Sequence, residues 1–400
     1  MSDPIRIVHY IPKFSPAHWG GAEEAIIHLS RELVAHGFRS EVWTNTTFSD
    51  GMDERIEGLV VRRFRGFFLS KSEREAAGLG KAPVSLGMLA RLGTVRGIDL
   101  LHVHSHNRAA SMLIAVARAR SLPTVVSLHS ELVRLVPSWR YRFQNEFAVR
   151  HADHVIAVTN RIRHAVAALT SRSASDVTML PNGVVAGAFE QGNGAGFRAS
   201  LGLTDEPLVL SVGRINDTKN QKASLDVLPL VNEALGSVHW AIVGFPSDAG
   251  YFEELRREIS RRGLDGVMHL IPGMAPRSQE LVDAYAAADV AVIPSRHEPF
   301  GIVLLEAWAS RTPVIATNSG GPAELIHDGV NGLLVDVSDH RRMAERIVQV
   351  LADPTFASKL VAEAADTLPA YEWPAIAEDL ASVYRTVLAR SLRGVGAASA

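Results

Sequence analysis

The chain is 400 residues long, 47% hydrophobic and 21% charged, with a formal net charge of -2; two domains are expected at this length, and the balance excludes a disordered chain or one that coats nucleic acid through bulk charge. It has no cysteine, which excludes disulfides, thiolate metal sites and cysteine nucleophiles and suits a reducing compartment. The opening MSDPIRIVHYIPKF lacks the charged-then-apolar pattern of a secretory signal, and no apolar run approaches the roughly 18 to 20 residues that span a bilayer, so a cytoplasmic location is expected, one compatible with contact at the inner membrane face.

In chain order, the first apolar run is RIVHYI (6 to 11). Behind it SPAHWGGAEEAIIHLSREL opens an amphipathic helix on Gly20 and Gly21. Glycine lets backbone approach a bulky anion and a helix start supplies N–H donors, although a plain turn would also want glycine. RSEVWT (39 to 44) and LVVRRF (59 to 64) follow. The stretch RRFRGFFLSKSEREAAGLGK (62 to 81) mixes basic and aromatic residues and reads as a loop after the third strand, either solvated, docked on an anionic bilayer, or guiding an acceptor. DLLHVH (99 to 104), TVVSLH (124 to 129) and HVIAVT (154 to 159) complete the first half. His102, His104 and His106 recur with period two, so they share a side if the strand extends that far. Alternating histidines serve as ligands in metal-dependent hydrolases. That rival needs further ligands converging from one barrel, and the sequence has no barrel repeat. His129 closes its strand, where a core histidine satisfied by backbone is also a fit.

Near the middle, VVAGAFEQGNGAGFRASLG (184 to 202) is rich in glycine and small residues and reads as a seam. Six further runs follow: PLVLSVG (207 to 213), HWAIVG (239 to 244), VMHLIPG (267 to 273), VAVIPS (290 to 295), PVIATN (313 to 318) and GLLVDV (332 to 337). Each run precedes a segment of helical periodicity, twice over. This pattern predicts an α/β protein of two doubly wound Rossmann-like domains facing across a cleft, residues 1–188 and 200–372, with ligands at the C-terminal ends of the strands. At one such end LVLSVGRINDTKNQ places Arg214 and Lys219, cations able to neutralise a leaving diphosphate, or simply solvated.

RHEPFGIVLLEAW (296 to 308) sets Glu298 and Glu306 eight positions apart. Pro299 and Gly301 disfavour helix at the start, so Glu298 belongs on a loop and helix begins near Phe300. The N–H groups of roughly Phe300 to Val303 then attract an anion. A carboxylate beside a phosphate is repelled, so Glu298 is suited to hydroxyls of a neutral group, and Glu306 to a second polyol; two polyols flanking a phosphate describe a nucleotide sugar. A capping Glu298 with an exposed Glu306 fits these residues equally well. A glycoside hydrolase pair needs carboxyls on either side of one bond, whereas these two share one short element.

SRHEPFGIVLLEAWASRTPVIATNSGGPAELIHDGVNGLLV (295 to 335), with its glycine pair Gly320 and Gly321, is similar to the donor-binding signature of retaining glycosyltransferases of the GT-B fold, glycosyltransferase family 4. The likeness covers nearly the whole chain. It implies that Glu298 contacts hydroxyls of the transferred sugar and Glu306 the ribose, with Phe300, Gly301 and Ile302 offering backbone N–H groups. Arg214, Lys219, Gly20 and Gly21 would hold the diphosphate, the backbone of Gly273 and Met274 the base. His129 would lie at the reaction centre, with His104 and Asn107 near the acceptor. The final YEWPAIAEDLASVYRTVL resembles a terminal helix, 373–392, that crosses back to the first domain. Thr218 and Asn220 stand where relatives often have an acid and a glycine, and Pro246 where many have a glycine. The implied function is transfer of a sugar from a nucleoside-diphosphate sugar, UDP favoured, to an acceptor hydroxyl of a saccharide, glycolipid or small metabolite. No metal, cofactor or nucleic acid is expected. A metal-dependent hydrolase on the histidines and a non-catalytic nucleotide-sugar binder are the alternatives.

Overall fold

The computed structural model describes residues 3–15, 20–48, 53–68, 82–130, 146–173, 176–275 and 277–397. All twelve apolar runs are strands, most trimmed by a residue or two at the ends. The chain divides into two units, residues 1–182 with 373–400, and 183–372.

The first unit carries an eight-stranded sheet of β1 (Ile5–Tyr10), β2 (Phe38–Asn45), β3 (Asp53–Ile56), β4 (Leu59–Phe64), β5 (Leu100–Val103), β6 (Thr124–Leu128), β7 (His154–Ala157) and β8 (Val177–Met179). The order is β3-β4-β2-β1-β5-β6-β7-β8, parallel throughout except for the β3–β4 pair. Two of these strands, β3 and β8, were not legible. The sequence DERI of β3 is charged and mostly exposed, as an edge strand should be, and β8 is three residues long. Glu57 and Gly58, both at positive φ (50° and 88°), close the β3–β4 hairpin. Residues 62–64, shared between the run LVVRRF and the basic and aromatic stretch read as a loop, finish β4, while 69–81 of that stretch lie outside the described residues. The helix Trp373–Ala397 packs on this unit. Its Trp373, Ile376, Ala377, Leu380, Ala381 and Tyr384 recur at helical spacing and share a core with Ile7, Leu29, Leu33, Phe38 and Leu100.

The second unit is a parallel sheet of β9 (Leu208–Val212), β10 (His239–Gly244), β11 (Met268–Pro272), β12 (Val290–Ile293), β13 (Val314–Thr317) and β14 (Leu333–Val335), in the order β11-β10-β9-β12-β13-β14. Its core includes Trp240, whose indole N–H donates to Ser211 Oγ (3.1 Å), which in turn donates to the Val292 carbonyl (2.7 Å), so this buried indole leaves its N–H paired. The glycine-rich stretch read as a seam is a packed part of this unit. Its short helix Gly194–Ser200 buries Phe197 and lies against the helix Gln279–Ala287, and Asn193 N–H donates to Asp283 Oδ1 (2.7 Å). Among the described residues no helix is long and apolar enough to cross a membrane.

In both sheets one central strand is flanked by chain segments that wind in opposite directions. The switch points lie between β1 and β5 and between β9 and β12. Helix termini and loops diverge at such points and leave a crevice at the strands' C-terminal ends.

Candidate functional site

The second unit brings most of the expected residues to its switch point. Beyond β9, Arg214 is exposed and its guanidinium makes no hydrogen bond or ion pair among the described residues. The chain then makes a tight turn, Asp217–Lys219, capped by Asn216, whose Oδ1 accepts from Lys219 N–H (3.1 Å). Asn220 follows in the left-handed region (φ 55°), buried, and donates from Nδ2 to the Pro294 carbonyl (3.0 Å) at the end of β12. Asparagine tolerates this conformation better than other non-glycine residues, which explains how it can stand where the resemblance implies a glycine and add a tether. Arg296 N–H donates to the Thr218 carbonyl (2.9 Å), fastening the two strand ends together.

This tether aims Lys219 at Glu298. Its Nζ pairs with Glu298 Oε2, which also accepts from Ser295 Oγ (3.4 Å). The carboxylate is on a loop, as expected, and is only 6% exposed. A buried carboxylate is tolerated because a cation meets it. The glycine pair holds this loop from behind. Gly321 N–H donates to the Glu298 carbonyl (2.7 Å), a Cβ on Gly320 would fall 2.0 Å from that same oxygen, and one on Gly321 would fall 1.9 Å from the Phe300 carbonyl.

The helix begins at Ile302, two residues later than the expected start near Phe300. Phe300 is a buried anchor (3% exposed) whose ring lies 6.4 Å from that of Tyr371, and Gly301 turns the chain at φ 100° before helix is possible. No side chain caps this start, so the anion-attracting N–H groups are those of Ile302 and Val303. One turn in, Glu306 accepts from Tyr285 Oη (2.8 Å). Burial and the neighbouring Glu306 charge raise the Tyr285 pKa well above its ordinary value, which keeps it a donor. Nothing in the sequence signalled Tyr285, since it comes from a separate helix. Gly273 (φ 85°) and Met274 follow β11, two strands from β9, and Gly273 N–H donates to the Gly244 carbonyl (3.2 Å).

In the first unit, Gly20 and Gly21 stand at the start of the helix Gly21–Glu32. Its first turn carries Glu23 and Glu24, which weaken the attraction of the helix start for an anion. Histidines crowd the switch point. His9 Nδ1 meets His104 Nε2 at 3.0 Å, and His104 Nδ1 meets His129 Nε2 at 3.1 Å. His102 has both ring nitrogens engaged, with Tyr384 Oη (2.6 Å) and Ser127 Oγ (2.7 Å). β5 ends at Val103, so the period-two pattern stops there and His106 is not part of the group; His9, from β1, takes that place beside His102 and His104. Asn107 caps the helix Arg108–Ala119, its Oδ1 accepting from Ala110 N–H (3.0 Å) and its Nδ2 donating to Ser105 Oγ (2.7 Å). Burial lowers His9 to about 3 and His106 and His129 to about 4. It also takes His102 and His104 well below the usual imidazole value, with neighbouring histidines adding to the effect.

Comparison with known proteins adds to this geometry. Residues 19–186 match the family described as Glycosyltransferase Family 4, and residues 196–367 match that described as Glycosyl transferases group 1. The chain is 30% identical to the D-inositol 3-phosphate glycosyltransferase of Nocardioides sp., over 96% of this chain and 90% of that one. It is likewise 30% identical to the protein of the same name from Thermobispora bispora, over 94% and 92%. Among solved structures it is similar to HepE of Anabaena in complex with UDP, with a TM-score of 0.79 at 21% identity, covering 96% of this chain and 100% of that one. Sucrose-phosphate synthase of Thermosynechococcus elongatus shares the fold too, with a TM-score of 0.75 at 23% identity over 96% and 100%.

Proposed function

The chain belongs to glycosyltransferase family 4 and has the GT-B fold, and from that membership we propose that it moves a hexosyl group from a UDP-sugar to an acceptor hydroxyl with retention of anomeric configuration. The observation that carries this reading is the Lys219–Glu298 pair at the switch point of the second unit, beside an Arg214 whose guanidinium has no partner among the described residues and an uncapped helix start. Two cations and free N–H groups suit a diphosphate whose charge grows as it leaves. Glu298, already ionic and shielded, suits hydroxyls of the sugar beside it.

In this reading Arg214, Lys219 and the N–H groups of Ile302 and Val303 hold the diphosphate. Glu306, oriented by Tyr285, accepts from the ribose hydroxyls, and the backbone at Gly273 and Met274 borders the base. Gly20 and Gly21 are assigned to the diphosphate and His129 to the sugar on the strength of the family resemblance. The acceptor oxygen forms its bond to the anomeric carbon on the face from which the diphosphate oxygen departs. A phosphate oxygen takes the acceptor proton, so no metal enters the scheme. The choice of uridine is supported by UDP in the HepE complex. The names of the relatives make a phosphorylated inositol the first acceptor to try.

The test is nucleotide release from a panel of nucleotide sugars, with and without candidate acceptors, followed by NMR of the product's anomeric configuration. Acceptor-dependent UDP release with retention is the expected result. Inversion, a metal requirement, or preference for another base would each overturn its part of the reading, and binding without release would make the protein a binder.

A further inference from the structure

We propose that Ser40, His9 and His104 form a hydrogen-bond relay that fixes the tautomer of His129 and holds its Nδ1 as a bare acceptor; this rests on the reading above, in which His129 meets the transferred sugar. The four residues come from β2, β1 and the ends of β5 and β6, which are consecutive in the sheet, so each link spans one strand spacing. The contacts are Ser40 Oγ to His9 Nε2 (3.1 Å), His9 Nδ1 to His104 Nε2 (3.0 Å), and His104 Nδ1 to His129 Nε2 (3.1 Å). The outer end, Ser40, is half-buried, and His9 and His104 are buried. At the inner end His129 Nδ1 is shielded from solvent and has no hydrogen-bond partner among the described residues. A network that merely satisfied buried rings would have no such open end.

Burial disfavours the charged form of every ring in the relay. A neutral imidazole has one N–H and one bare nitrogen, and which is which follows from the bond the other nitrogen makes. The relay therefore has two self-consistent states. In one, every ring carries its proton on Nδ1, and His129 presents an N–H. In the other, every ring carries it on Nε2: His129 donates to His104, His104 to His9 and His9 to Ser40 Oγ, leaving His129 Nδ1 bare. The Nε2–H form is the intrinsically favoured tautomer of a histidine side chain, and Ser40 supplies the acceptor that ends the chain. A bare nitrogen also suits the positive charge that develops on a sugar as its bond to the diphosphate breaks. His102, tied by Tyr384 and Ser127, packs its ring against that of His104, with centroids 4.0 Å apart and planes tilted by 34°. His9 and His104 are thus positioning residues.

The test combines 15N NMR of histidine-labelled protein with kinetics. In the wild type, His129 is expected as a single Nε2–H tautomer. In His9→Phe, the His104 Nε2–H loses its acceptor, so the remaining rings are expected to shift toward Nδ1–H. The value of kcat should then fall about 10-fold, as for other groups that orient a functional histidine, with the donor KM changed less than about twofold. His9→Asn, whose amide oxygen takes the place of Nδ1, should restore both. An Nδ1–H or mixed tautomer at His129 in the wild type overturns the proposal, and so does an unchanged tautomer and kcat in folded His9→Phe. The wild-type spectrum decides the matter even if His9→Phe does not fold. If no donor supports turnover, the functional reading fails while the tautomer measurement still judges the relay.

Discussion

Lys219 and Glu298 show how much one residue can depend on another. Lys219→Ala leaves a carboxylate shielded from water with no cation to meet it. The lysine is itself 16% exposed, so the expected loss is below that of a fully buried pair, about 2 kcal/mol, or roughly 5 °C in Tm. Calorimetry checks this, and an unchanged Tm would show that the pair is not held in solution. Glu306 offers a cleaner separation of roles. Tyr285→Phe removes only the hydroxyl that donates to its carboxylate, and a hydrogen bond to a charged group is worth roughly 1.5 kcal/mol. Nucleotide affinity, measured by titration calorimetry, should fall about tenfold while the fold is unaffected. Both glutamates were legible in the sequence because an apolar helix flanked by proline and glycine left them as exceptions. Tyr285 was not, because its contact joins two helices 21 residues apart and no local periodicity records it. Asn220 was visible as a departure, and only its positive φ and its bond to Pro294 explain why the departure is tolerated.

At the scale of elements, most strands were legible because they are short, largely apolar runs with most of their residues buried, and the exceptions lack this property. β3 is exposed and charged, and of the three residues of β8 only Val177 is buried. The start of the helix after Glu298 was misplaced by two residues because apolar periodicity alone would include Phe300, whereas Gly301 must first turn the chain. The loop from Glu298 to Ile302 is braced by backbone of the glycine pair, and the bracing leaves no room for a methyl group. Gly321→Ala would set a Cβ 1.9 Å from the Phe300 carbonyl, a clash that backbone can relieve only by moving the loop. Donor binding should be lost in this variant, and Tm should fall by roughly the several degrees that 1 to 3 kcal/mol of overpacking implies. Retention of wild-type donor affinity would mean that the loop is not fixed by this contact.

At the scale of the whole chain, repetition of a strand–helix pattern disclosed two sheets, whereas convergence of His9 with His102, His104 and His129 needed the strand order, which no pattern of apolar residues encodes. That convergence has a consequence for stability. The first unit holds six imidazoles depressed by burial: His9 at about 3, His106 and His129 at about 4, His102 and His104 well below the ordinary value, and His154 below it. In the unfolded chain each titrates near 6.5. Below that pH the unfolded state binds protons that the folded state refuses, so each ring's contribution is fully present above about 6.5 and is lost as pH falls toward its folded value. The slope is about 1.4 kcal/mol per pH unit for each proton taken up. In the second unit only His239 and His269 are lowered, and both are less deeply shielded. Scanning calorimetry between pH 7 and 4.5 should therefore show the transition of the first unit moving down further than that of the second. His106→Gln, outside the relay, should flatten the dependence of the first unit by about one proton. Equal shifts in the two transitions, or a first-unit Tm constant across this range, would mean that these rings are protonated in the folded protein and that the histidine cluster is not the neutral, buried array described above.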